Sequence, residues 1–383
     1  MLLESGSMKR FLPALLLALA APAALAQDTP PEDVYQTEKP WKFEVDGFFR
    51  QEWTDDITFI ENSRQLGRLR PRLEFGLWSK VFLGAGGDFL YGSQENTVPP
   101  PGVATLPLLR DNFDSRDARL DLAYLRVELG PLRLGGGRFI MPIRFTEMVW
   151  DRELRPQGGF VGLEVKDFGP FKRLGVTGIG ARGSHVFPQE GAFEFEDRET
   201  VWMGSAFAAL GLAEGTSLEV AGTYITWSDL EHVDPRLRRQ NTRTVAGGPL
   251  ALEYDIVDVT ARYVREGNFQ LQLIADYCWN TALERDNTGL WLAAVLGSTD
   301  TAHGSLEYTY AKVDADATLA AFAGDDFLWE TGWEGHRGDL GFRLQDSWSV
   351  HGIAQWQRFK DAPQVIDRDK WLERYRIELR LKY

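Results

Sequence analysis

The chain has 383 residues, with 42 Lys and Arg against 56 Asp and Glu, a formal net charge of -14 and a single cysteine, Cys278. So acidic a chain, with a pI near 5.0, lacks the basic footprint that nucleic acid requires. One cysteine excludes an internal disulfide framework, and five dispersed His with no HExxH spacing offer no zinc site, so neither metal nor cofactor is expected. Aromatic residues at 12% and 38 Gly favour strands and tight turns over a helical core.

Met8-Lys9-Arg10, the apolar run Phe11 to Ala24 and the small residues Ala24-Leu25-Ala26 read as a secretory signal peptide cleaved after Ala26. The apolar run is shorter than the roughly 20 residues of a spanning helix. The predicted organisation is a signal peptide over residues 1–26, a periplasmic segment over 27–42 and a barrel over 43–383. Removing Glu4, Lys9 and Arg10 leaves 40 basic against 55 acidic residues, a net of -15.

Period-two alternation follows. Phe43, Val45, Phe49 and Trp53 share one face, with Glu44, Asp46, Arg50 and Glu52 on the other. Leu69, Leu73, Phe75 and Leu77 alternate with Arg68, Arg70 and Arg72; Leu306, Tyr308 and Tyr310, then Trp348, Val350, Ala354 and Trp356, repeat the pattern. The final segment sets Trp371, Tyr375, Ile377, Leu379, Leu381 and Tyr383 against Arg374, Arg376, Glu378, Arg380 and Lys382. Strands with one greasy and one charged face separate an apolar medium from water.

Short turns near Ser79-Lys80, Gly130-Pro131, Gly169-Pro170, Ala213-Glu214-Gly215, Glu266-Gly267-Asn268, Ser298-Thr299-Asp300 and Asp346-Ser347 alternate with long connections. The long ones are 54–65, 94–116, 141–157, 184–199, 228–243, 281–287, 314–327 and 360–370. This predicts an all-β chain, a transmembrane antiparallel β-barrel of about 16 strands. A range of 14–18 is compatible, because Asp255 to Asp258 could be a further turn. A soluble sandwich or propeller would have to bury the charged faces dry, which costs too much without partners.

Two segments carry a resemblance. LGGGRFIMPIRFTEMVWDREL (134–154) resembles the strand-and-loop stretch of outer-membrane porins, including those related to phosphate-selective porins. The segment from Asp314 to Phe359, followed by IELRLKY, is similar to the closing hairpins of the same group. The resemblance implies a channel in the bacterial outer membrane for passive diffusion of small hydrophilic solutes or ions. It also implies contact with membrane lipid and lipopolysaccharide, and a homotrimer. It assigns no solute.

The third external connection, Met141 to Gln157, carries Arg144, Glu147, Asp151, Arg152, Glu153 and Arg155 around Met148 and Trp150. Likeness to general porins implies that it folds into the lumen, where opposed charges set a transverse field; the alternative is a solvated surface loop. Arg68, Arg70 and Arg72 stand roughly 7 Å apart on one face and, with Arg374, Arg376 and Arg380, are the predicted pore-lining cations. They could pass anions, but pairing with Glu44, Asp46 and Glu52 is preferred given the net charge. Pro71 inside this run removes a ladder donor and suggests a bulge.

An enzyme is the competing class. Adjacent Ser184 and His185 point to opposite faces, and Ser349 and His351 share the inner face, but no GxSxG motif supports either pair. His232, His303 and His336 form no ligand pattern. The preferred reading is a channel and not an enzyme, with a non-conducting structural or adhesive barrel and an outer-membrane hydrolase as alternatives.

Overall fold

The computed structural model describes residues 41–54, 62–92, 116–182, 199–233, 241, 253–267, 270–300, 304–324, 327, 330–360 and 371–383. The predicted signal peptide, residues 27–40 and the pair Ser184 and His185 lie outside these residues.

Among the described residues sixteen strands follow in chain order. They are β1 (Trp41–Thr54), β2 (Asn62–Trp78), β3 (Val81–Gly92), β4 (Arg116–Leu129), β5 (Leu132–Arg138), β6 (Gln157–Phe168), β7 (Phe171–Arg182) and β8 (Thr200–Ala213). The second half comprises β9 (Thr216–Ser228), β10 (Asp255–Arg265), β11 (Leu271–Asn280), β12 (Thr288–Gly297), β13 (Gly304–Val313), β14 (Trp333–Gln345), β15 (Trp348–Phe359) and β16 (Leu372–Lys382). Each pairs antiparallel with its sequence neighbours, and β1 pairs with β16 from Asp46↔Lys382 to Thr54↔Arg374, which closes the barrel. Closure leaves no strand edge unpaired, the condition for a sheet to stand in hydrocarbon.

Side-chain parity follows the sequence pattern. Phe43, Phe49 and Trp53 of β1 are exposed on the outer wall, whereas Arg50 and Glu52 are buried inside. In β2, Leu69, Phe75 and Leu77 face out and Arg68 faces in. Turns at the short rim use Gly130, Gly169 and Gly215 at φ 64°, 59° and 65°, a region other residues enter at a cost.

Two connections and one expected bulge differ from expectation. Asp255 to Asp258 is strand, because Ile256 and Asp258 pair with Ile225 and Thr223 of β9; the connection after β9 therefore runs over residues 229–254. The connection after β13 extends to Gly332, whose φ of 74° turns the chain before Trp333 joins the sheet. Pro71 causes no bulge: Arg70 and Pro71 lack ladder partners on β3, yet Leu69↔Phe89 and Arg72↔Gly86 keep one register. The bulge sits one strand away, at Gly86 and Gly87 facing β4.

The apolar core lies inside the barrel. Near the long-connection rim the inner faces of β7 to β13, and the first residue of β14, turn apolar, with Ile179, Val201, Met203, Ile225, Ile256, Cys278, Trp291, Val313 and Trp333 buried. Against them pack Phe145, Met148 and Trp150 from the connection 139–156, and Leu319 and Phe322 from the connection 314–332. The outer wall is itself apolar, so this stretch of wall is greasy on both sides.

The outer wall yields a direct check. Leu292 is exposed at the middle of β12, and Leu292→Arg should destabilise the barrel in lipid vesicles by roughly 2 to 4 kcal/mol. Denaturant titration measures it; a change near zero would mean this face does not meet hydrocarbon.

Candidate functional site: a half-filled lumen

The connection 139–156, here L3, crosses the barrel interior and is tied at both ends. On one side Glu153 pairs with Arg68 of β2, and Arg155 Nε lies 3.0 Å from Asp121 Oδ1 of β4. On the far side Thr146 Oγ1 donates to Asp276 Oδ2 of β11 at 2.5 Å, and Arg337 Nη1 of β14 donates to Glu147 Oε2 at 2.8 Å. Arg144 remains exposed, 3.8 Å from Glu219, and Arg152 is exposed 3.7 Å from Glu147. Asp151 Oδ1 accepts from the Glu153 amide at 2.7 Å. All six charges predicted on this segment thus sit on a strap inside the barrel, Arg144 towards β9 and the rest towards the β14, β16 and β2 side or beneath it.

Burial is the main cause of the downward shift of the Arg155 guanidinium, to about 10. Asp121 opposes that shift, and the neighbouring Arg70, Arg72 and Arg68 add to it. It stays charged at neutral pH.

A second connection, residues 314–332 (L7), clamps the strap from above. The Asp151 amide donates to the Phe322 carbonyl at 2.7 Å, the Gly324 amide to the Glu147 carbonyl at 2.6 Å, and Thr318 Oγ1 to the Met148 carbonyl at 3.1 Å. Phe322 packs against Trp227 and Trp150 with ring centroids 4.1 and 5.4 Å away. L7 is held at its root by Asp314, which accepts from Thr288 Oγ1 at 2.7 Å and pairs with Lys360. Burial alone would raise the Asp314 carboxyl; Lys360 and Thr288 outweigh it and hold the group below the usual aspartate range. Asp316 accepts from the buried Tyr254 hydroxyl at 2.7 Å, and burial beside that carboxylate pushes the phenol well up.

The other half of the interior is open and charged. An open cavity of about 530 Å³ runs between the carboxylate edge of L3 and the inner faces of β13 to β16, β1 and β2. Of the six arginines predicted to line the pore, Arg70, Arg376 and Arg380 border this cavity, and the arginines on this side are answered by carboxylates. Arg50 Nε donates to Glu378 at 2.6 Å; Arg376 and Arg374 lie 2.7 and 3.6 Å from Glu52; Arg380 pairs with Glu378 and Asp339. Arg70 and Arg72 share Asp46, and Arg68 makes a two-pronged bond to Asp88 at 2.6 and 2.8 Å.

Of the ladder's expected partners, Asp46 serves it. Glu52 instead holds the arginines of β16, and Glu44 bonds Lys42 at 2.7 Å. Sequence reading missed Asp88, although it is the only charge in β3, a lone carboxylate among apolar residues. It also missed the whole inner surface of L7.

No family model and no curated protein matches the sequence. Among solved structures, OprB of Pseudomonas putida at high pH superposes with a TM-score of 0.60 at 12% identity, over 90% of this chain and 94% of that one. OmpF of Salmonella typhi, in its complex with daunomycin, gives 0.51 at 10% identity over 90% and 97%. The fold is that of the porins. In this porin-fold barrel the inward strap is braced by a second apolar connection, L7.

Two outcomes follow for the clamp. Phe322→Ala should cost about 3 to 5 kcal/mol of packing, seen as faster amide exchange over residues 314–324 with the barrel still heat-modifiable; unchanged exchange would remove Phe322 from the clamp. Because Asp314 titrates lower in the folded protein, its contribution is full at neutral pH and is lost as the pH falls below about 4. Exchange over L7 should therefore rise at pH 3 in the wild type, and Asp314→Asn should flatten that pH dependence.

Proposed function

We propose that this chain is a bacterial outer-membrane porin, a water-filled channel for passive diffusion of small hydrophilic solutes, with L3 narrowing the passage. The observation that carries the reading is the open cavity lined by ion pairs inside an apolar outer belt. Paired charges along a wet wall attract and release hydrated solutes without holding them. The outer belt meets lipid and lipopolysaccharide, and three such barrels assemble as a homotrimer. Transport of this kind needs no catalysis.

Selectivity follows from the charge balance. Nine carboxylates and seven basic side chains line the cavity, and the arginines of the ladder spend their fields on Asp46, Asp88, Asp121 and Glu153. The channel is therefore weakly cation-preferring, and Arg68, Arg70 and Arg72 soften that preference without reversing it. Screening over about 10 Å at 0.1 M salt keeps the effect small.

Liposome swelling with sugars of rising size tests conduction; no swelling by a correctly folded barrel would favour a structural role. Deleting most of L3 while retaining Arg138 and Gly158 should raise conductance and the size limit. In a salt gradient, replacing Arg68, Arg70 and Arg72 by Gln should move the reversal potential toward cations, and Glu147→Gln with Glu153→Gln toward anions. No shift from either set would separate these residues from the ion path.

A further inference from the structure

Conduction leaves a hydrogen-bonded chain of side chains on β14 and β15 unused. Ser349 and His351 stand two residues apart on the inner face of β15, with Ser349 Oγ 3.1 Å from His351 Nε2. From β14, Asp339 Oδ1 lies 2.8 Å from His351 Nδ1. The other carboxylate oxygen, Asp339 Oδ2, accepts from Arg380 Nη2 at 3.2 Å. A carboxylate paired with a guanidinium is ionised and can only accept, so Nδ1 carries the ring proton. The Nε2 lone pair is then left facing the serine hydroxyl, the arrangement a general base needs.

The wall around these residues is shaped to allow this. Gly341 is the register partner of His351, and a Cβ there would lie 2.6 Å from His351 Cε1. The absence of a side chain lets the imidazole lie across β14 to reach Asp339. His351 is buried, whereas Ser349 is partly open, and both border the charged cavity. Register also sets Arg343 and Arg380 directly across from Ser349 on the two flanking strands, on the same inner face. Both are held in ion pairs, Arg343 with Asp346 and Arg380 with Glu378 and Asp339.

We propose that Ser349, His351 and Asp339 form an esterase site in the wall of the pore, acting on small water-soluble carboxylic esters. Ser349 is the nucleophile, His351 the acid and base, and Asp339 a positioning residue that fixes the imidazole. Ser349 Oγ bonds to the ester carbonyl carbon while its proton passes to His351 Nε2. The carbon–oxygen bond to the alcohol then breaks, and the alcohol leaves with that proton. Water from the cavity adds to the acyl-serine, gives its proton to His351, and the acid leaves as Ser349 recovers its hydrogen. Atoms balance with water as the only co-reactant. Charged residues dominate the cavity lining, which favours a short acyl group. The proposal rests on the channel reading only for the access of water and ester.

The test uses the refolded wild-type barrel, a fluorophosphonate probe and p-nitrophenyl acetate. Mass spectrometry should find the phosphonate on Ser349, and p-nitrophenyl acetate turnover should stop in Ser349→Ala. His351→Gln should lower turnover roughly a hundredfold. Asp339→Asn, which favours the wrong tautomer, should lower the rate with little change in KM. Absence of label at Ser349 in wild-type protein that conducts, or equal turnover in Ser349→Ala, would overturn the esterase and leave the channel standing. Label and turnover in a barrel that does not conduct would do the reverse. Because labelling is read on the wild type, the proposal stays testable even where a variant does not fold.

Discussion

Hydrogen-bond closure of the sheet is the constraint on which everything else depends. A strand edge in hydrocarbon would leave a row of amides and carbonyls without partners, at several kcal/mol each. Pairing of β1 with β16 removes that edge. Once the sheet is a cylinder, its period-two geometry divides every strand between lipid and lumen, and the only freedom left is what each face carries.

The two faces are filled by different rules. Outside, the rule is uniform: apolar residues on every strand. Inside, it splits. Over β14 to β16 and β1 to β4 the lumen side is a mesh of guanidinium and carboxylate groups, wet enough to be hydrated and paired closely enough to have little net field. Pairs such as Arg68–Asp88 and Arg376–Glu52 are buried, and the desolvation of both charges offsets much of their attraction, so the mesh contributes more to the electrical character of the passage than to stability. Over β7 to β13, near the long-connection rim, the lumen side is apolar and L3 and L7 pack onto it as they would in a soluble domain. The position of L3 is thus set by a buried core as well as by its terminal ion pairs, and the loop acts as a fixed wall and not as a flap.

Much of this was legible in the amino-acid order. Arg68, Arg70 and Arg72 alternate with Leu69 and Leu73, and a slip of one residue would drive three guanidiniums into lipid, so their direction follows from parity alone. Their partners did not follow: Asp88 meets Arg68 across the β2–β3 hairpin, and Glu153, 85 positions away, reaches it only once L3 lies inside the barrel. L7 was hidden for another reason. Its Ala-rich run from Ala317 to Ala323 is apolar but has no strand period, and small residues reveal burial only when something packs on them, here Trp150 and Met148. Ser349 and His351 shared a visible face, while Asp339 stood ten residues upstream of Ser349 across a turn and was not paired with them.

The central claim is that one half of the lumen is dry and the other wet, and the single native thiol can report on it. Cys278 is fully buried under Met148 in the packed half, whereas Asp46 borders the open cavity. Reaction of the folded barrel with a charged methanethiosulfonate reagent measures the difference. The account predicts no modification of Cys278 until the barrel unfolds, and rapid modification of a cysteine placed by Asp46→Cys, with a drop in conductance. Fast labelling of Cys278 in the folded wild type would contradict it, because the packed half would then be open to water.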